Sequence, residues 1–345
     1  MNLNVEEPEA LIDYLRHSGR IGSEETPRVE ALAGGVSNRT VLVERGLATE
    51  PNWVIKQALP KLRVQHAWYS DPARVHREAL GLRWLEQLLP DGSVPRFVFE
   101  DREHHLLAME AVALPHENWK SQLLLGQLDV GHVYQFAKML AAIHRRSYER
   151  HDELAPKFHD RSFFESLRLE PYYAFPTTKV PDAASFLDAL IDETRRRCLT
   201  LVHGDFSPKN ILIREEQLVL LDHEVIHWGD PAFDVGFSLT HLLSKAHYLP
   251  PRRDAFAAAA RAHWNSYATA LGVGPWQNSL QHHAIRHTLG CLLARVAGRS
   301  PLEYFSESHR TRQRRVVLDL LRQMPRTIDE LVARFIERLN SVANH

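Results

Sequence analysis

The run LTLVHGDFSPKNILIREEQLVLLDHE, residues 199–224, concentrates polar groups between short apolar segments. Asp205 follows the apolar run Leu199–Val202 through His203 and Gly204. Asn210 stands just ahead of Ile211–Ile213, and Asp222 and Glu224 follow Leu218–Leu221. Pro208 keeps the residues after Asp205 out of a strand. Three carboxylates and one amide therefore gather where strands end. Hard oxygen donors of this kind suit Mg²⁺, which binds through one or two carboxylates and completes its shell with water and substrate phosphates.

A cation stands upstream. Trp53-Val54-Ile55-Lys56 reads as a strand ending in lysine, and the helical segment after it carries Val75, Leu82, Leu85 and Leu89 on one stripe. Glu78 falls on that stripe, three residues after Val75 and four before Leu82. A carboxylate on an apolar face needs a partner, and Lys56 is the one expected. Before this strand lies Ala33-Gly34-Gly35-Val36-Ser37-Asn38. Gly34 and Gly35, with Ser37 and Asn38, form a loop whose backbone N–H groups could approach phosphates, although a plain hairpin turn favours the same residues.

The elements that must position these groups fall into two regions. A short helix over Pro8–His17 is followed by strands at Val29–Ala33, Thr40–Glu44 and Trp53–Lys56, a helix over residues 72–89, and strands at Arg96–Glu100 and His105–Met109. After Met109 the pattern changes. Asp129–Arg146 is an amphipathic helix with Val130, Val133, Ala137, Leu140 and His144 on one stripe, and His144 reads as a core histidine. Beyond Asp234 the chain is mainly helical. The expected fold is α+β and bilobal: a small antiparallel β-rich lobe over residues 1–110 and a larger, mainly helical lobe over 111–345, joined near Glu110–Pro115.

Composition excludes several classes. With 42 basic and 43 acidic residues the formal charge is −1, so no long-range field points to nucleic acid or an anionic membrane. No apolar run approaches the ~18 residues a membrane span needs. The N-terminus lacks a signal-peptide pattern, and Cys198 and Cys291 form no CxxC pair. A cytoplasmic protein is expected. Its oligomeric state is left open.

The interval from Asp205 to Asn210 and the later Asp222 match the catalytic Asp, metal-binding Asn and metal-binding Asp of protein kinases. His203-Gly204-Asp205 in place of His-Arg-Asp, and Asp222-His223-Glu224 in place of Asp-Phe-Gly, resemble the aminoglycoside phosphotransferase and choline kinase superfamily. That resemblance covers roughly residues 29–300 and implies a protein-kinase-like fold and an ATP- and Mg²⁺-dependent small-molecule kinase. The acceptor would be a hydroxyl on a sugar-like or aminoglycoside/aminocyclitol-like metabolite. Asp205 would be the catalytic residue, and Asn210, Asp222 and Glu224 the metal site. Lys56 held by Glu78, the Gly34–Asn38 loop and the Glu110–Val112 backbone would bind the nucleotide. His203 and Asp234 would support the catalytic loop, Asp234 by accepting backbone hydrogen bonds.

Val54–Pro60, with Arg63, Trp68, Arg77 and Glu78, is similar to the corresponding region of methylthioribose kinases. Those enzymes carry a small residue where this chain has Asn210, and paired sugar-contacting arginines where it has Ala294 and Arg295. Arg295 is thus the candidate substrate contact. Two rival readings use the same residues: a pseudokinase-like module that holds nucleotide without turnover, and a metal-dependent hydrolase.

Overall fold

Alternation along the third strand sets the architecture of the N-terminal part. In Trp53–Ala58, Trp53 and Ile55 point to one face and join the buried cluster of Leu11, Leu15, Val41, Val43, Leu106 and Ala108. Lys56, next after Ile55, points to the other. The computed structural model describes residues 3–32, 37–46, 50–63 and 69–341. Two compact units are present, Met1–His116 with Val219–Val225, and Glu117–Leu218 with Ile226–His345. The sequence reading divides the chain once, at residue 110; contacts divide it at His116 and return Val219–Val225 to the first unit.

In the first unit, α1 (Pro8–His17) precedes β1 (Arg28–Ala31), β2 (Asn38–Glu44), β3 (Trp53–Ala58), α2 (Arg74–Leu88), β4 (Phe97–Asp101) and β5 (Leu106–Glu110). The five strands form one antiparallel sheet in the order β1-β2-β3-β5-β4. α1 closes one face through Leu11 and Leu15, whose spacing of four puts both on one side. α2 buries Val75, Glu78, Ala79, Leu82 and Leu85 and packs against β3, β4 and β5. The expected elements are all present, with ends shifted by one or two residues, as fraying of element ends allows.

The second unit begins with β6 (Glu117–Asn118), α3 (Trp119–Leu124) and α4 (Val130–Glu149). Asp129 caps α4, its Oδ1 accepting from Gly131 N at 2.5 Å and His132 N at 3.3 Å. Then come α5 (His151–Phe158), α6 (Ser162–Phe164), a π-helical stretch Glu165–Ala174, α7 (Phe175–Lys179) and α8 (Ala184–Arg196). β7 (Thr200–Val202), β8 (Ile211–Arg214), β9 (Gln217–Leu220) and β10 (His227–Gly229) follow, and β9 carries the chain into the first unit. β7 pairs with β10 and β8 with β6, both antiparallel. The rest is helical: α9 (Pro231–Tyr248), α10 (Arg253–Leu271), α11 (Leu280–Ala297), α12 (Glu307–Arg322) and α13 (Ile328–Ser341).

α9 is buried from Pro231 to His247 and packs on α10 and α11. Gly236 permits its approach to α11: a Cβ there would lie 2.5 Å from His287 Cβ. No helix among the described residues is long and apolar enough to cross a membrane.

Candidate active site

In the first unit, polar groups converge on Lys56. Its ammonium donates to Glu78 Oε1 at 2.6 Å and to Asp222 Oδ1 at 3.2 Å. Glu78 is fully buried, as its place on the apolar stripe of α2 requires, and its Oε2 has no hydrogen-bond partner. Burial opposes the Lys56 charge, but Asp222, Glu78 and Glu224 outweigh it and hold its pKa above the ordinary value. Burial pushes Glu78 up to about 7, with Asp222 and Glu224 adding to the rise and Lys56 opposing it. Asp222 follows β9 with φ 68°, a left-handed conformation uncommon outside glycine and tolerated best by Asp and Asn.

Arg74 was not singled out from the sequence, yet it is fully buried and ties this group together. Its Nε donates to Glu224 Oε2 at 3.1 Å, Nη1 to the carbonyls of Ser70 and Asp71, and Nη2 to those of Ser37 and Leu59. One guanidinium thus joins the start of α2, the end of β3, the residue before β2 and the Val219–Val225 segment. The signal was available: Arg74 lies four residues before Glu78, on the same helix face.

Two cations, Lys56 and Arg74, therefore face three carboxylates, Glu78, Asp222 and Glu224. This set of carboxylates and the orphaned Glu78 oxygen fit a divalent cation, which oxygen donors of this kind favour. Ser37 and Asn38 are buried beside this group, and Asn38 pairs with Ala58 across β2 and β3. Gly34 and Gly35 lie outside the described residues, as does Trp68. Glu110 ends β5, and its N–H donates to Arg96 O at 2.8 Å. Ala111 N–H donates to Asn52 O at 2.7 Å, and Val112 is half-buried just beyond.

In the second unit, β7 ends at Val202 and the chain turns at His203-Gly204-Asp205. Gly204 has φ 78°, a region most side chains avoid. Asp234, in the first turn of α9, braces this turn: His203 N–H donates to its Oδ2 at 2.7 Å and Gly204 N–H to its Oδ1 at 2.8 Å. Behind it, His144 Nε2 lies 3.3 Å from Asp234 Oδ2, and His144 Nδ1 lies 2.8 Å from the Tyr267 hydroxyl. Burial works against the Asp234 charge, but His144, His203 and the Gly204 N–H outweigh it and keep its pKa below the usual carboxylate value. His144 is thus a bonded core histidine. The Asp205 N–H donates to His203 Nδ1 at 3.2 Å.

A 3₁₀ turn, Pro208–Asn210, brings Asn210 back to Asp205. Asn210 Nδ2 donates to Asp205 Oδ2 at 2.8 Å and to the Asp205 carbonyl at 3.0 Å. Arg168, from the π-helical stretch, also reaches Asp205, with Nη2 3.0 Å from Oδ2. Its Nε donates to Gly204 O at 2.8 Å, fixing the guanidinium on the loop. Sequence reasoning missed Arg168 too, although an arginine between Leu167 and Leu169 in an apolar run raises the same partner question as Glu78. Arg295, on α11, donates to Ser300 O at 2.8 Å, lies 3.3 Å from His241 Nε2 and stacks against Tyr172.

Comparison with known proteins identifies the family and the fold. A family model described as "Phosphotransferase enzyme family" matches residues 28–272. Methylthioribose kinase of Yersinia enterocolitica is 26% identical over 271 residues, covering 67% of this chain and 64% of that enzyme. The Citrobacter koseri methylthioribose kinase is also 26% identical, covering 76% and 74%. The chain thus spans under two thirds of the Yersinia enzyme it matches. Among solved structures, a choline/ethanolamine kinase family protein from Mesorhizobium loti superposes with a TM-score of 0.52 at 12% identity, covering 95% of this chain and 99% of that one. A macrolide 2′-phosphotransferase from Brachybacterium faecium gives 0.50 at 17% identity, covering 95% and 98%. These structural likenesses establish a shared fold, with an antiparallel β-rich N-terminal region and a mostly helical remainder.

Proposed function

Because the chain belongs to the phosphotransferase enzyme family, we propose that it transfers the γ-phosphoryl group of ATP to a hydroxyl of a small molecule, using Mg²⁺. The observation that carries this reading is the Lys56 ammonium held between Glu78 and Asp222. A phosphate-binding lysine needs a carboxylate to hold it, and kinases of this fold type supply one from a helix. Asn210, Asp222 and Glu224, the last anchored by Arg74, would hold Mg²⁺. Bound there, a divalent ion would supply positive charge that offsets the phosphates. Lys56 neutralises phosphate charge, and Ser37, Asn38 and the Glu110–Val112 backbone line the nucleotide.

Asp205 orients the acceptor hydroxyl and takes its proton. The acceptor oxygen bonds to the γ-phosphorus as the bond from that phosphorus to the bridging oxygen breaks, and ADP leaves. Asn210 and Arg168 fix the carboxylate, while Asp234 fixes its backbone, so that positioning and electrostatics do most of the catalysis. The acceptor is a sugar-like or aminoglycoside/aminocyclitol-like metabolite.

The test is the Asp205→Ala variant. ATP-dependent turnover falls by about 10²–10⁴-fold, the usual contribution of a positioned base, while binding of a non-hydrolysable ATP analogue is retained. Equal turnover in variant and wild type overturns the role of Asp205. Nucleotide binding by wild type without turnover on any acceptor supports the pseudokinase-like module instead.

A further inference from the structure

In the second unit, Lys245 on α9 is fully buried. Its ammonium donates to the His241 carbonyl at 3.4 Å and lies 5.9 Å from the Tyr304 ring. Among the described residues, no carboxylate lies within ion-pair distance of it. Buried lysines without a carboxylate are disfavoured, since desolvation penalises the charge and nothing repays it.

The neighbours of Lys245 sharpen the anomaly. One helical turn earlier, His241 is 5% exposed and its Nε2 faces Arg295 Nη2. Arg295 has no carboxylate partner among the described residues, and its buried Nε has no hydrogen-bond partner. Lys120, which acts electrostatically on both His241 and Lys245, is paired with Glu303. Lys209, beside Asn210 in the catalytic loop, acts on His241 as well. Asn118 links these parts, accepting from Lys120 N–H and donating to Lys209 O at 2.7 Å. The cluster also lies next to the catalytic carboxylate. The Tyr172 ring carries Arg295 at 5.3 Å and Arg168 at 5.8 Å, and Arg168 contacts Asp205. Tyr172 thus carries both guanidiniums, one of which is bonded to Asp205.

Arg295 donates through Nη1 to Ser300 O, while its Nη2 faces a histidine that is itself among cations, with a buried lysine nearby. Such a group is stable once an anion enters.

We propose that the acceptor is an anionic polyol, a sugar carrying a carboxylate or phosphate, whose anionic group docks on Arg295 with His241, Lys245 and Lys120 around it while a hydroxyl reaches Asp205. This inference rests on the kinase reading and names its substrate class. Burial, with repulsion from Lys120 and Arg295 and opposition from Glu303, brings Lys245 down to about 7. An anion favours the charged form, so above pH 7 its binding takes up a proton, and affinity falls as pH rises.

The experiment is titration calorimetry on the full chain saturated with Mg²⁺ and a non-hydrolysable ATP analogue. The probes are sulfate, D-gluconate, D-ribose 5-phosphate, neutral D-ribose and D-glucitol, and cationic kanamycin. The anionic polyols bind about tenfold or more tighter than the neutral ones, as charged hydrogen bonds provide. Arg295→Gln and Lys245→Met erase that difference and leave nucleotide affinity unchanged. Titration at pH 8 in buffers of different ionisation heat shows proton uptake in wild type and not in Lys245→Met. Should Lys245→Met fail to fold, Arg295→Gln alone decides.

The proposal is overturned if sulfate, gluconate and ribose 5-phosphate all fail to bind, if neutral or cationic probes bind as well, or if Arg295→Gln weakens the nucleotide instead. The last result would assign the cluster to the ATP phosphates. Failure of the analogue itself to bind would count against the kinase reading, and sulfate binding without nucleotide would then still test the anion site.

Discussion

The Lys56 ammonium lies 3.2 Å from Asp222 Oδ1, although 166 residues separate them in the chain. Lys56 is fixed by its place on β3 and Asp222 by a left-handed residue just after β9, so the contact depends on the segment Val219–Val225 joining the first unit. Leu220 N–H helps to anchor that segment, donating to Ser93 O at 2.8 Å.

Removal of the lysine therefore has two effects that can be separated. Lys56→Met lowers kcat/KM for ATP by about 10²–10³-fold, as loss of a preorganised charge does. It also lowers Tm, because Glu78 is left buried without its cation. In Lys56→Met/Glu78→Leu the Tm recovers while activity does not. Recovery of both, measured by steady-state kinetics beside thermal unfolding, would mean that Lys56 serves stability alone.

Arg74 calls for a different outcome. Arg74→Met leaves Glu224 and the carbonyls of Ser37 and Leu59 without their guanidinium partner, and stability falls by about 3–5 kcal/mol, as when one partner of a buried pair is removed. Arg74→Lys restores little, since an ammonium cannot reach several separated oxygens at once. Denaturant unfolding followed by fluorescence checks this, and an unchanged midpoint in either variant refutes the account of Arg74.

These residues also mark what was legible in sequence. The Lys56–Glu78 contact followed from a carboxylate on an apolar stripe, whereas the five-residue spacing of Asp205 and Asn210 pointed to their roles and not to the hydrogen bond between them. The elements of the first unit were readable because strand alternation and the α2 stripe are regular. Residues 150–198 were not, because the π-helical stretch breaks the 3.6-residue period and holds Pro171, which has no N–H. Arg168 lay hidden there. The anchoring of Val219–Val225 in the first unit was invisible for another reason: which unit a segment joins depends on contacts far apart in sequence. Gly34 and Gly35 lie outside the described residues, so their expected place in the nucleotide loop passes into the proposal for function.

Asp234 predicts a pH signature. Its pKa is depressed in the fold, so its stabilisation is present above the ordinary carboxylate range and is lost as pH falls through the depressed value. Asp234→Asn lacks that contribution and leaves a backbone N–H of His203 or Gly204 poorly accepted, a penalty of about 1–3 kcal/mol. The Tm gap between wild type and Asp234→Asn is therefore widest near pH 7 and narrows towards pH 3. A gap independent of pH would show that the Asp234 charge contributes nothing.

Metal dependence follows from the carboxylates gathered around Lys56. Chelation with EDTA abolishes turnover and Mg²⁺ restores it, while Asp222→Asn raises the Mg²⁺ concentration needed for half-maximal rate by about tenfold or more, as loss of a ligand charge implies. An unchanged Mg²⁺ requirement in Asp222→Asn would remove Asp222 from the metal site.

The most direct test is mass spectrometry of a hydroxyl-bearing metabolite panel incubated with ATP, Mg²⁺ and either wild type or Asp205→Ala. The account predicts that wild type converts at least one metabolite into a phosphate ester with one ADP formed per ester, and that Asp205→Ala forms both about 10²–10⁴-fold more slowly. Release of inorganic phosphate with no phosphorylated acceptor, or ester formation by Asp205→Ala at the wild-type rate, would contradict it.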